Sequence, residues 1–170
     1  MVIKIFKVSD KVIHNSYGLC EIAAIEPSVD TYYGKQDCYI IYMQKTKVMI
    51  PVAHAEALRY PIKKEEIPKV FEVFSDYVEI RDKISSQERI KIYTDKFRSN
   101  DILKLADILR DLTFYDQIDK LKGREKNLLE RIKKILVEEI SFVQGITNSE
   151  GQKLIKPYLK MIRERAKGRR

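Results

Sequence analysis

The chain has 170 residues, with 33 Lys and Arg against 25 Asp and Glu, and 44% of it is hydrophobic. That length holds one ordinary domain or two small ones, with enough apolar side chains for a real core. No apolar run approaches the ~20 residues that span a bilayer. The start, MVIKIFKVSDKV, carries charges at Lys4 and Lys7 where a signal peptide is apolar, so a cytoplasmic location is expected. Cys20 and Cys38 agree with a reducing compartment and read as a pair of buried thiols.

The net charge of +8 is unevenly placed. Residues 1–77 are neutral and residues 78–145 carry +2, while the stretch from Lys153 to Arg170 carries +7. Such a tail raises affinity for a polyanion, or serves only as a solvated helix end.

In chain order, the first half reads as β. Phe6, Val8, Val12 and Ile13 belong to short stretches broken at Ser9-Asp10, and Tyr17-Gly18 marks a turn. Leu19 to Ile25 continues as a strand. The polar run Asp30 to Asp37 around Gly34 reads as a hairpin tip. Cys38 to Met43 reads as a strand buried on nearly both faces, and Lys47 to Ile50 as another, ended by Pro51. Four or five short strands this close together predict a small, strongly bent sheet or barrel. Ala53 to Arg59 holds one helical turn at most. Pro68 then stands where a helix tolerates it, in its first turn, and Val70, Phe71 and Phe74 give a short helix expected to link two modules.

From residue 85 on, the pattern is helical. Ser85 with Glu88 is a capping box, opening a helix to about Phe97. Ser99-Asn100-Asp101 caps the next, whose Ile102, Leu105, Ala106, Ile108, Leu109 and Leu112 repeat with the helical period. Gly123 marks a break. A longer helix carries Leu128, Leu129, Ile132, Ile135, Leu136, Ile140 and Val143, and Gly145 and Asn148 end it. A last helix from about Glu150 carries Leu154, Ile155, Tyr158, Leu159 and Ile162, with a kink expected at Pro157. The fold class is therefore α+β in two domains: a small β domain over residues 1–60, a linker with a short helix over 61–84, and an all-α domain with a basic tail over 85–170.

Chemistry-bearing constellations do not emerge. His14 and His54 lack metal-ligand spacing, Cys20 and Cys38 form no CxxC, and no phosphate loop or nucleophile elbow occurs. Carboxylates alternate with cations at helical spacing, as in Asp107, Arg110 and Asp111, the pattern of surface ion pairs. The chain therefore reads as a non-enzyme without cofactor, metal or small-molecule substrate. What remains is surface charge. Lys91, Lys96 and Arg98 lie on or near one helix. Lys120, Lys122, Arg124 and Lys126 cluster around Gly123, where a helix start would also offer free amides to phosphate; a hydrated loop between helices is the alternative.

Phe6-Lys7-Val8-Ser9-Asp10-Lys11-Val12-Ile13, Tyr17-Gly18 and Val48-Met49-Ile50-Pro51-Val52, in that order, resemble the N-terminal module of the CarD family. The helical part resembles it more specifically. Asp101-Ile102 through Leu105-Ala106-Asp107-Ile108-Leu109-Arg110-Asp111-Leu112 is similar to that family's D-x-x-x-x-A-[ED]-x-x-R-D-L helix. Gly123-Arg124-Glu125-Lys126 and Leu129-Glu130 through Leu136-Val137-Glu138-Glu139 resemble the helix after it. The resemblance covers residues 4–145 and implies a bacterial transcription regulator. Its Tudor-like β domain would bind the RNA polymerase β subunit. Its helical domain would contact double-stranded promoter DNA without reading a defined sequence and would stabilise the open complex.

The family's tryptophan wedge falls on Ser86; either the wedge is absent here, or Ile90 or Tyr93 replaces it, or bubble stabilisation is weak. Family DNA contacts fall on Arg89, Lys91 and Lys126, and a neighbouring basic position is Glu88. Together with the charge clusters, the expected DNA set is Arg89, Lys91, Lys96, Lys122, Arg124 and Lys126. Two polymerase-facing arginines fall on Ser28 and Met49, with Lys47 on the same strand face as Met49. The alternative is a polymerase-independent, nucleoid-type DNA-binding protein driven by the basic helices and tail.

Overall fold

A computed structural model describes residues 6–77, 84–119 and 121–168. The chain divides into two compact units, Met1–Pro61 and Ile62–Arg170, so the architecture is the expected two-domain α+β.

The first unit contains β1 (Lys11–His14), β2 (Gly18–Glu21), β3 (Ala24–Thr31), β4 (Gly34–Met43), β5 (Thr46–Pro51) and β6 (Leu58–Arg59). They form two three-stranded antiparallel sheets, ordered β2-β1-β6 and β3-β4-β5. Strand alternation explains the core: Tyr39, Ile41 and Ile50 turn inward to meet Phe6, Val12, Cys20, Ile22 and Leu58. The Tyr39 hydroxyl accepts a hydrogen bond from the Phe6 amide at 3.1 Å, so this large buried ring keeps its polar tip satisfied. Tyr60 donates to Asp10 at 2.8 Å while its ring meets Phe6 edge-on, fastening both ends of the unit together. Cys20 and Cys38 are free and buried. The segment after β5 is a 3-10 turn, Val52–Ala57, which returns the chain to pair β6 with β1.

The second unit contains α1 (Ile67–Ser75), α2 (Ser86–Arg98), α3 (Ile102–Ile118), α4 (Gly123–Gln144) and α5 (Asn148–Lys167). The helix expected in a linker, α1, belongs to this unit: it packs on α3 and α5, burying Ile67, Val70 and Phe74. Its apolar face is satisfied by the bundle, which periodicity alone does not reveal. The central helix is α3, which packs against all four others; its buried set extends beyond the expected stripe to Thr113, Phe114 and Tyr115. Gly123 is the first residue of α4 and makes no break within a helix. Asn148 begins α5 instead of ending α4, because Thr147 is the cap whose hydroxyl accepts the Glu150 amide. Helix α5 continues through Pro157, and Leu154 is exposed, outside the core.

The α4–α5 corner is tight for an identifiable reason. Gly145 takes a left-handed φ of 69°, and the amides of Gly145 and Ile146 close on the carbonyls of Phe142 and Ser141. The helices then approach so closely that a Cβ on Gly151 would lie 2.0 Å from Ser141 Oγ and 3.3 Å from its Cβ. Ser141 Oγ is buried without a hydrogen-bond partner, so removing it sacrifices no bond. Gly151→Ala is expected to overpack this corner by about 1–3 kcal/mol, offset by about 1 kcal/mol of helix propensity. In a Ser141→Ala background most of the loss should vanish. A double-mutant cycle by urea denaturation checks this, and additive effects would refute the close contact.

Candidate nucleic-acid interface

The N-terminus of α2 is fixed by its own sequence. The Ser85 hydroxyl accepts the Glu88 amide at 3.2 Å, and Glu88 accepts the Ser85 amide at 2.9 Å. The Ser85 hydroxyl also donates to Glu88 Oε2 at 2.7 Å, and that bond, with the one from the Ser85 amide, holds the Glu88 carboxyl below its ordinary range. Glu88, at a position where the family has a base, is therefore occupied as a cap.

One turn further in, a polar knot joins α2 to the start of α4. Glu125, 0% exposed, accepts Arg89 Nε at 2.8 Å and the Ser86 hydroxyl at 2.7 Å. It also accepts the Lys122 amide at 3.0 Å. Arg89 spends a second nitrogen on Asp119 at 2.8 Å, and its guanidinium lies 4.6 Å from the Tyr115 ring centroid. Burial pushes the Glu125 carboxyl up, but the bonds from Arg89, Ser86 and Lys122 outweigh it and leave the group below its ordinary value. The knot stays ionised because each charge is both paired and hydrogen-bonded.

This placement corrects part of the expected DNA set. Arg89 is only 4% exposed and its guanidinium is directed inward, so it supports the surface without forming it. Lys96 is engaged with Asp107, which also pairs with the buried Arg110; it adds little free charge. Tyr93 is buried, and its hydroxyl donates to Asp111 at 3.2 Å, so it is not a free wedge. Ser86 is a partner of Glu125. Lys120 lies outside the described residues.

Of the remaining expected cations, Lys91 and Arg124 line one groove, and Lys122 and Lys126 stand outside it. Between α2 and α4 runs a groove of about 750 Å³, lined by Lys91 and Arg98 from one helix and Arg124 and Arg131 from the other. One carboxylate, Asp95, joins them, 3.4 Å from Arg98. Half-buried Ile90 and the buried Phe97 supply the apolar floor, and Arg131 lies over the Phe97 ring. Lys122 and Lys126 are exposed on the first turn of α4, and Lys122, the N-cap, brings no oxygen to accept the first-turn amides. Arg131 was missed in the sequence reading; its signal is a seven-residue step from Arg124, two turns along the same helix face.

On the first unit, cross-strand register places Lys47 opposite Tyr42 and Met49 opposite Ile40. Lys47 and Met49 therefore share a face with Tyr42, which is 55% exposed beside Met49 at 49%. Lys47 binds Glu26 at 2.6 Å, and that bond raises its pKa. Ser28 sits apart, at the irregularity where the β3–β4 register shifts, with φ 51° and its amide donated to Asp37. Tyr42 was the unrecognised member of this face, legible only through hairpin register.

Among the described residues no group of three or more His, Cys, Asp or Glu is placed to hold a metal, and no helix is long and apolar enough to cross a membrane.

The molecule is a small β unit followed by a helical unit with a cationic groove, and comparison with known proteins gives its family. Residues 6–62 match the CarD-like/TRCF RID domain, and residues 69–156 match the CarD C-terminal domain. The chain belongs to the CarD family of transcription factors. It is 24% identical over 149 residues, 85% of this chain and 96% of its relative, to the Bacillus subtilis (strain 168) protein named "Putative transcription factor YdeB".

The buried knot generates a stability prediction. Glu125→Ala leaves Arg89 with Asp119 alone and is expected to destabilise the protein by about 3–5 kcal/mol in urea. Because the folded carboxyl titrates below its ordinary value of 4.5, its stabilisation is complete above that pH and fades as pH falls through the lower folded value. The Glu125→Ala penalty should therefore shrink in acid; a penalty independent of pH would show that the carboxylate charge is not what holds α2.

Proposed function

We propose that this CarD-family protein docks on the RNA polymerase β subunit through its N-terminal β unit and holds promoter DNA with its helical unit, stabilising the open complex. The observation that carries the reading is the groove between α2 and α4, where four cations meet one carboxylate. Flexible cations around a shallow groove suit phosphate contacts, which add affinity without reading sequence. Family membership supports the polymerase partner, and the exposed face of Tyr42, Lys47 and Met49 is the candidate docking surface. An aromatic and a methionine flanked by a cation are side chains enriched where proteins meet, or suited to steering them.

With Ser86 bonded to Glu125 and Tyr93 buried, stabilisation here would rest on a backbone clamp. Ile90 is the apolar side chain nearest to a wedge role in the groove. A clamp binds with steep salt dependence and with similar affinity for unrelated sequences.

The test is duplex binding by fluorescence anisotropy across salt, beside co-elution of the full chain with a polymerase β-lobe fragment. Lys91→Gln with Arg124→Gln should lower the salt exponent by about two and weaken unrelated duplexes alike. Met49→Asp with Lys47→Glu should abolish co-elution and leave DNA affinity intact. Wild-type DNA binding without any co-elution would favour the polymerase-independent reading and defeat this one.

A further inference from the structure

The +7 segment from Lys153 onward resolves into distinct parts once it is folded. Arg165 donates to the Ser75 carbonyl at 2.8 Å, pinning α5 to the end of α1. Lys167 pairs with Glu164 at 3.2 Å. Lys153, Lys156, Lys160 and Arg163 are all exposed and have no ion pair among the described residues. They recur at steps of three and four residues, so with about 100° per residue they occupy one arc of roughly 80° on α5. The side centred about 120° away, with Gly151, Ile155, Leu159, Ile162 and Ala166, is buried. The result is a straight row of free cations about 15 Å long, and no carboxylate falls inside it.

The row is placed beside the groove already described. Helix α4 presents Arg124 and Arg131 toward α2, and Val137 and Glu138 toward a cleft shared with Asn148 and Gln152 of α5. Thus α2 and α5 pack on adjacent sides of α4, about 100° apart around it. Gln152 marks the side of α5 turned to α4, and the row lies next to it on the helix surface.

We infer that the α5 row is a second contact for the phosphate backbone of duplex DNA, so that the helical unit grips one duplex at both the groove and the row. This rests on the DNA reading of the groove and extends it along α5, where the family match ends at residue 156 and leaves Lys160 and Arg163 beyond it. The argument is charge complementarity. A duplex strand presents one phosphate per about 3.4 Å of axis, so a 15 Å row of unpaired cations can follow it. Apolar or sequence-reading partners would need exposed apolar or amide side chains within the row, and it has none.

The experiment uses the full chain and a duplex long enough to span groove and row. Lys153→Gln, Lys156→Gln, Lys160→Gln and Arg163→Gln are combined, and the thermal melt is expected to be unchanged because all four are exposed and unpaired. At about 0.9 per contact, the salt exponent should fall by up to about 3.6, so affinity changes about 150-fold less between about 50 and 200 mM salt than in the wild type. A fall of about one unit or more, the value of a single phosphate contact, supports the second contact; a smaller change overturns it. The groove variant Lys91→Gln with Arg124→Gln is measured in parallel. Loss in that variant alone keeps the groove and defeats the row, whereas loss in the α5 variant alone keeps the row and defeats the groove. Unchanged duplex binding with lost retention on DNA-free polymerase would assign the row to an acidic protein surface and overturn the inference.

Discussion

The helical unit depends on one buried carboxylate. Glu125 is the third residue of α4, so its backbone position is set by that helix, yet its oxygens are filled by Arg89 and Ser86 of α2 and by the amide that precedes α4. A buried anion is tolerated only when its lone pairs are occupied by donors and a counter-charge is close. Meeting that requirement draws α2 against the start of α4, although α2 has a weak apolar stripe of its own. The groove with Lys91 and Arg98 on one wall and Arg124 and Arg131 on the other is a consequence of this pairing. Charges hidden from solvent thus determine where the displayed charges stand.

The same division between supporting and displayed polarity recurs in α3. Arg110 is buried among Asp107, Asp111 and the Val73 carbonyl, tying α1 to the central helix. The part of the family-like motif most recognisable in sequence, Asp107 to Leu112, is therefore structural: its arginine joins helices and its leucines fill the core. In the β unit, by contrast, the apolar inner face does the supporting, and the outer face of β4 and β5 is left with Tyr42, Lys47 and Met49 exposed.

Much of the architecture was legible from periodicity and caps. Ser85 with Glu88 and the stripe from Ile102 to Leu112 placed α2 and α3 closely, because capping and amphipathicity are local. What local pattern could not reveal was tertiary commitment. Val70 and Phe74 look the same whether they line a linker helix or a bundle. Arg89 and Lys91 are two residues apart and chemically similar, yet one faces Glu125 and the other solvent, a difference of about 200° around the helix. Arg131 and Tyr42 went unnoticed for the converse reason: their neighbours lie across a helix pair or a hairpin. Charge counted along the chain measures capacity, and only the fold decides which part of it is presented.

The corner at Gly151 bears on this in a mechanical way. Where Ser141 meets Gly151, only the small serine side chain spaces the two helices. The exposed cations of α5 lie just beyond that point, and the groove cations of α4 lie back along the paired helix. Two uncharged residues therefore act as a gauge, setting the track width between rows of charge. A larger side chain at residue 151 would push α5 away from α4 and shift its cations relative to those of α4, with every lysine and arginine still in place.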